Sequence, residues 1–411
     1  MPDPRSTVHD PDHRPLRYDP AERFAADLCA SGAWRPGDPV GERRFMTVTE
    51  GRPFALEGGG LLEEITLAYE TWGELNADGS NAVLVCHALT GDSHAAGPMS
   101  AGHSGDGWWD EFIGPNKALD TNRWYVVCAN VLGGCQGSTG PSSDIPGEDR
   151  PYAARFPQVT IRDIVRTQRR LADRLGIGQW LAVVGGSLGG MQVLEWGVMF
   201  GDRVRLLMPL ATCAAASPQQ IAWSAVERLA IVNDPLFNNG DYYGAPPGKG
   251  PWAGLALARE ISQITYRTTE VFDRRFGRQH VDQRREFDHW GRYQVESYLD
   301  HHGQKLVRRF DANTFLVLSK AMDLHDVGRG RGGVKAAFSR LSSPVFTASI
   351  TSDILYPPYQ QAEIHDQVTA AGGRCRHHVL VSPQGHDGFL LEASLLGPLI
   401  HDAVAETEAN L

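Results

Sequence analysis

Trp180-Leu-Ala-Val-Val-Gly-Gly-Ser187-Leu-Gly-Gly-Met-Gln-Val-Leu-Glu-Trp-Gly-Val-Met199 decides how this chain is read. The first half is a short apolar run rich in valine, the pattern of a buried strand. The second half places apolar residues at helical spacing among helix formers. Between them stands Gly185-x-Ser187-x-Gly189. A serine on a sharp strand-to-helix turn leaves no room for side chains beside it, which accounts for the glycines. Such a turn exposes Oγ, and the helix N-terminus behind it favours negative charge. The tripeptide spacing alone carries little weight in a chain with 45 glycines. Strand before and helix after make Ser187 a candidate nucleophile rather than an inert turn residue.

Working outward, Phe45 to Tyr69 reads as an antiparallel start to a sheet. Ala82–Cys86, Trp124–Ala129 and Leu206–Ala211 read as buried strands, and Thr160 to Leu175 as an amphipathic helix. Strands alternating with helices predict an α/β fold with a mostly parallel sheet covered on both faces. After Thr212 the pattern turns helical, from Pro218 to about His325. Strand character returns at Pro344–Ile350 and His378–Val381. The sheet is therefore expected to be interrupted by a helical subdomain. The expected division is an N-terminal extension over 1–40, loosely ordered in its first thirty residues, a core over 41–212, a helical lid over 213–335 and the rest of the core over 336–411. Gly328-Arg-Gly-Arg-Gly-Gly333 lacks the lysine-serine/threonine ending of a phosphate loop and reads as a hinge.

A serine hydroxyl needs a base, and the base needs an orienting acid. In this class of sheet the order along the chain is serine, acid, histidine. Asp353 follows the strand ending at Ile350 and precedes Pro357-Pro358, so it sits on a rigid loop. His386 follows the last strand, flanked by Gly385 and Gly388. Asp323 and Asp326 end a helical stretch and suit capping, while Asp387 adjoins His386 and diverges from it. Cys135 is the rival nucleophile, but it lacks the strand-turn-helix setting. An oxyanion hole is expected from the N–H of Leu188, next to the nucleophile, and that of Leu89, in the early loop His87-Ala-Leu-Thr-Gly-Asp92.

The formal net charge of −10 argues against nucleic acid as main partner but leaves room for a small anion in a locally positive pocket. The six cysteines form no CxxC pair, so no metal is expected, and reduced thiols fit a cytoplasmic protein. Met1–Pro20 has no apolar segment of a secretory signal, and no run reaches membrane-spanning length.

Tyr69-Glu-Thr-Trp-Gly73, His87–Asp92, Asn130-Val-Leu-Gly-Gly-Cys-Gln-Gly-Ser-Thr-Gly-Pro141, Gly185–Gly190, Gln294–Leu299, Arg309–Asn313, Asp323–Asp326, Gly328–Gly333 and Gly385–Asp387 occur in this order. In these motifs, from about Phe45 to Glu392, the chain closely resembles the homoserine O-acetyltransferases, acyltransferases of the α/β-hydrolase superfamily. The resemblance implies an α/β-hydrolase fold and a ping-pong transfer of acetyl from acetyl-CoA, a co-substrate, through Ser187 to L-homoserine. It implies no bound cofactor and a product that feeds methionine synthesis. It implies that Arg259 and Asp387 bind substrate, with Arg267 as second choice for the arginine, and that a homodimer forms through the lid. A zwitterionic acceptor needs a cation and an anion. Without the resemblance, Arg259 reads as a surface helix arginine rather than a substrate ligand. The chain departs from the family at Ile354, where an aromatic is more frequent, and at Gly388, where alanine is frequent. Relatives that succinylate homoserine or acylate serine, an esterase, and a noncatalytic binding protein are the competing readings.

Overall fold

The computed structural model describes residues 23–411. Its centre is an eight-stranded sheet: β1 Arg44–Thr47, β2 Thr66–Trp72, β3 Ala82–Cys86, β4 Tyr125–Ala129, β5 Ala182–Gly186, β6 Leu207–Leu210, β7 Val345–Ile350 and β8 Cys375–Leu380. The spatial order is β1-β2-β4-β3-β5-β6-β7-β8. β1 pairs antiparallel with β2, and β2 with β4; every later pairing is parallel.

The valine-rich strands are apolar on both faces because both faces are covered. Val83, Val85 and Val184 enter one core, and Leu84 and Val183 the other. Helix α1, Ile161–Arg174, starts at a reciprocal cap between Thr160 and Asp163 and buries Ile161, Ile164, Val165, Gln168 and Leu171. Helix α2, Leu188–Phe200, is buried along nearly its whole length, so its sequence is apolar all round.

Five longer helices fill the insertion between β6 and β7: α3 Pro218–Val232, α4 Trp252–Tyr266, α5 Thr269–Arg275, α6 Gln294–Val307 and α7 Ala312–Asp323. Their close packing rests on glycine. A Cβ on Gly254 of α4 would stand 2.6 Å from the Ala230 carbonyl oxygen of α3, and one on Gly303 of α6 would stand 3.0 Å from Ala256 Cβ of α4.

The expected loose N-terminal extension needs correction where it is described. Residues 1–22 lie outside the described residues. From Arg23 onward the segment packs on the lid. Arg23 pairs with Glu260 and Asp300, and Ser31 Oγ donates to Asp311 Oδ1 at 2.7 Å. Asp311 is the reason. It is fully buried, accepts Tyr242 and Tyr243 hydroxyls at 2.8 Å each, and caps α7 through Thr314 N–H. Such a carboxylate needs every donor it can reach.

β8 begins three residues before the expected His378. Its opening, Cys-Arg-His-His, is half exposed at the sheet edge, where apolar patterning fades. Of the arginines of 328–333, Arg331 faces inward and Arg329 stays partly exposed. Arg331 makes a two-pronged pair with Glu195 of α2 at 3.0 and 2.7 Å, and Arg329 meets Glu57 at 2.9 Å. The loop is a fastened joint between lid and core. No single helix among the described residues is long and apolar enough to cross a membrane.

Candidate active site

Ser187 lies at the end of β5 with φ 59° and ψ −124°, a conformation that costs a non-glycine residue about 1–3 kcal/mol. The turn is held from outside. Ser187 N–H donates to Leu210 O at 3.0 Å, and Thr212 Oγ1 donates to Ser187 O at 2.8 Å. The flanking glycines are steric necessities. A Cβ on Gly189 would lie 2.1 Å from the Cys86 carbonyl oxygen, and one on Gly185 2.6 Å from the same atom.

Asp353 sits in the turn after β7 and His386 in the short turn after β8, both 3% exposed. His386 Nδ1 lies 2.8 Å from Asp353 Oδ2. Asp353 Oδ1 accepts Leu355 N–H at 2.9 Å and Tyr356 N–H at 2.8 Å, which fixes the carboxylate plane. The imidazole is packed by Tyr266, Tyr356 and Phe389, with ring centroids 5.7, 5.0 and 5.4 Å away. The phenol of Tyr356 also approaches the Ser187 side chain.

Both candidate oxyanion donors carry a backbone N–H left without an acceptor among the described residues. Leu188 is the first residue of α2, where the N–H has no partner within the helix. Leu89 N–H has no acceptor among the described residues. Its loop is pinned by a buried His87, whose Nδ1–H donates to Ala88 O at 2.7 Å while Nε2 accepts Val131 N–H at 3.0 Å. Burial holds His87 below the usual histidine pKa, which keeps this neutral tautomer.

The rivals fall away on geometry. Asp323 is held by Arg228 at 2.6 Å, and Asp326 Oδ1 accepts Gly328 N–H at 2.7 Å. Cys135 is buried, and desolvation pushes its thiol far above the usual range.

Arg267 and Arg259 separate clearly. Arg267 Nη2 pairs with Asp387 Oδ2 at 3.1 Å, and Nη1 donates to Gln384 Oε1 at 3.1 Å. Arg259 has no carboxylate within ion-pair distance among the described residues. Its guanidinium lies 5.2 Å from the Tyr266 ring centroid. Asp387 is raised above the usual aspartate pKa, mainly by burial, with Arg267 and then Arg259 opposing the shift. Behind Tyr266 and Tyr356, which pack on His386, is a small chamber lined also by Leu89, Trp223, Glu227 and Leu355. Burial pushes Glu227 up to about 7.

The sequence reading passed over Glu70, His94 and His103. Their ligating atoms lie within 4.8 Å of one another, all buried. Both glutamate oxygens and one nitrogen of each histidine already have partners, while His94 Nε2 and His103 Nδ1 are buried without one. Glu70 accepts Ser93 Oγ–H and His94 Nδ1–H at 2.8 Å each, and His103 Nε2 accepts Glu42 N–H at 3.3 Å. The two imidazoles stack at 3.7 Å and 8°, so their nitrogens lie in parallel planes rather than converging on one point. The group clamps the far end of the Leu89 loop. A glutamate in a strand reading as β2 is the only hint of it in sequence.

This site and this sheet define the alpha/beta hydrolase fold, whose family profile matches residues 81–393. The homoserine O-acetyltransferase of Thermobifida fusca is 52% identical over 92% of this chain and 98% of its own length. A homoserine O-acetyltransferase from Bacillus anthracis superposes with TM-score 0.80 at 26% identity, covering 88% of this chain and 97% of that one. Esterase E22 superposes equally, TM-score 0.80 at 27% identity, over 88% and 99%. Within the alpha/beta hydrolases, the chain belongs to the homoserine O-acetyltransferase family.

Proposed function

We propose that the protein transfers the acetyl group of acetyl-CoA to the hydroxyl of L-homoserine. The observation that carries this beyond a generic hydrolase is Arg259, a cation beside the Ser187–His386–Asp353 group that has no carboxylate of its own. A substrate carboxylate completes it.

His386 Nε2 takes the proton of Ser187 as Oγ attacks the thioester carbonyl. The oxyanion rests on the N–H groups of Leu89 and Leu188. The C–S bond breaks, and CoA leaves with the proton from His386. The homoserine hydroxyl then gives its proton to His386 and attacks the acetyl-serine. Oγ leaves with that proton, releasing O-acetyl-L-homoserine. Asp387 faces the ammonium of the acceptor, and Arg259 its carboxylate.

An esterase reading differs only in what resolves the acyl-enzyme, and esterase E22 has the same architecture. Product analysis after incubation with acetyl-CoA and homoserine separates the two. O-acetylhomoserine is expected in excess of free acetate, and acetate alone refutes transfer. Succinyl-CoA and serine in the same assay rank the donor and acceptor.

Arg259→Ala should weaken acceptor use by about 10- to 150-fold, equivalent to roughly 1.5–3 kcal/mol for one charge-assisted contact. Acetylation of Ser187 without acceptor should stay nearly intact. Lysine should rescue in part, since it lacks the two-pronged fork. An equal loss in acylation would contradict the acceptor role.

We also propose a homodimer through the lid. Val226, Leu229 and Val232 of α3 and Leu257 and Ile264 of α4 are exposed, an apolar surface on two packed helices. Sedimentation should return about twice the chain mass of 45.0 kDa, and Leu229→Lys should halve it.

A further inference from the structure

A cavity of about 630 Å³ opens on the outer side of the Leu89 loop, between the segment at 27–39 and the end of α6. It is within the size range of small-molecule sites. Four cations line it: Arg43, Lys305, Arg308 and Arg309. Among the described residues none of them has a carboxylate within ion-pair distance, in a protein whose net charge is −10. Arg43 is the sharpest case. It is 6% exposed and donates only to the neutral acceptors Val40 O, Gly102 O and Gln136 Oε1, at 3.2, 2.6 and 2.9 Å. Its Nε is buried without a partner. A buried guanidinium normally finds an anion. Four aspartates share the wall. Asp38, Asp92 and Asp106 turn an oxygen to the backbone N–H of Arg35, His94 and Met99 respectively, and Asp27 makes no ion pair with the four cations.

The cavity is joined to the catalytic group by one short loop. Arg309 Nη1 donates to Thr90 O at 2.7 Å, and Thr90 and Gly91 form part of the cavity wall. The preceding residue, Leu89, lines the inner chamber with Tyr266 and Tyr356. A larger cavity of about 880 Å³ touches Arg205, Val345 and Cys375 at the starts of β6 to β8, the end of the sheet opposite Ser187.

We infer that the outer cavity seats the phosphorylated nucleotide end of the acyl donor, whose thin thioester arm passes the Leu89 loop to Ser187. This rests on the proposed use of acetyl-CoA. The donor has three phosphate groups at one end and its reactive carbonyl at the other, and cavity, loop and chamber match that order.

The test is the exposed pair Lys305→Glu/Arg308→Glu, assayed with three acetyl donors: acetyl-CoA, S-acetylpantetheine, which lacks the phosphorylated nucleotide, and p-nitrophenyl acetate. The KM for acetyl-CoA should rise roughly 10- to 100-fold with kcat nearly unchanged. The wild-type preference for acetyl-CoA should also weaken with salt. Acylation by the two donors without phosphate should not change. An unchanged KM for acetyl-CoA, or an equal rise for S-acetylpantetheine, overturns the seat while leaving the reaction standing. Wild-type protein that reacts with p-nitrophenyl acetate but not with acetyl-CoA overturns both. If the double variant loses activity toward all three donors, Lys305→Gln/Arg308→Gln decides on the same criteria.

Discussion

Ser187→Ala should leave a folded protein that forms no acetyl-enzyme, with turnover lowered roughly 10⁴- to 10⁶-fold. The loss is large because, in the proposed mechanism, Ser187 Oγ carries the acyl group between two substrates. Folding should survive, since removing one hydroxyl leaves the Leu210 and Thr212 contacts to the Ser187 backbone in place. Mass spectrometry after brief exposure to acetyl-CoA should find the added acetyl group on the Ser187 peptide of the wild type and on no peptide of the variant. Acetyl on the Cys135 peptide would refute the assignment.

The second large effect is expected at the acid. Asp353→Asn should lower turnover by about 10⁴-fold with little change in unfolding temperature. Oδ1 of Asp353 already accepts two backbone N–H groups. An asparagine must keep its oxygen there, which turns its NH₂ toward His386 Nδ1. The imidazole then holds its proton on Nε2, the atom that has to receive one from Ser187. Asp323→Asn is the control. Asp323 belongs to Arg228 and not to the imidazole, so that change should appear in thermal unfolding rather than in the tautomer. Reversed behaviour of the two variants in pH–rate profiles would place the acid elsewhere.

The placement of Ser187, Asp353 and His386 at one edge was legible because each follows a strand, and strand ends of a parallel sheet converge there. Apolar runs reveal the strands, and chain order gives the roles. The separation of Arg259 from Arg267 was not legible. Arg259 lies at the middle of α4 and Arg267 at its C-cap, and only the fold shows that Asp387 and Gln384 occupy the second. The packed segment after Arg23 was hidden for a similar reason. Its polar residues look solvated until Asp311 and the lid carboxylates come within reach. The Glu70–His94 clamp was invisible because two neutral-looking loop residues meet a strand glutamate only in three dimensions. The early start of β8 was lost to its polar edge.

The lid is inserted between β6 and β7, so synthesis delivers the serine first, Arg259 next, and the acid and base last. A nascent or truncated chain ending between α2 and β8 contains the serine turn but lacks His386, the proposed base. The arginine proposed to bind the acceptor carboxylate precedes the proposed base as well, so on that reading no intermediate length exposes a working nucleophile without an acceptor pocket. Domains fold as units during translation. In this architecture, competence to cleave thioesters therefore arrives only with the complete sheet. Premature termination yields a silent fragment rather than an indiscriminate consumer of activated acyl groups.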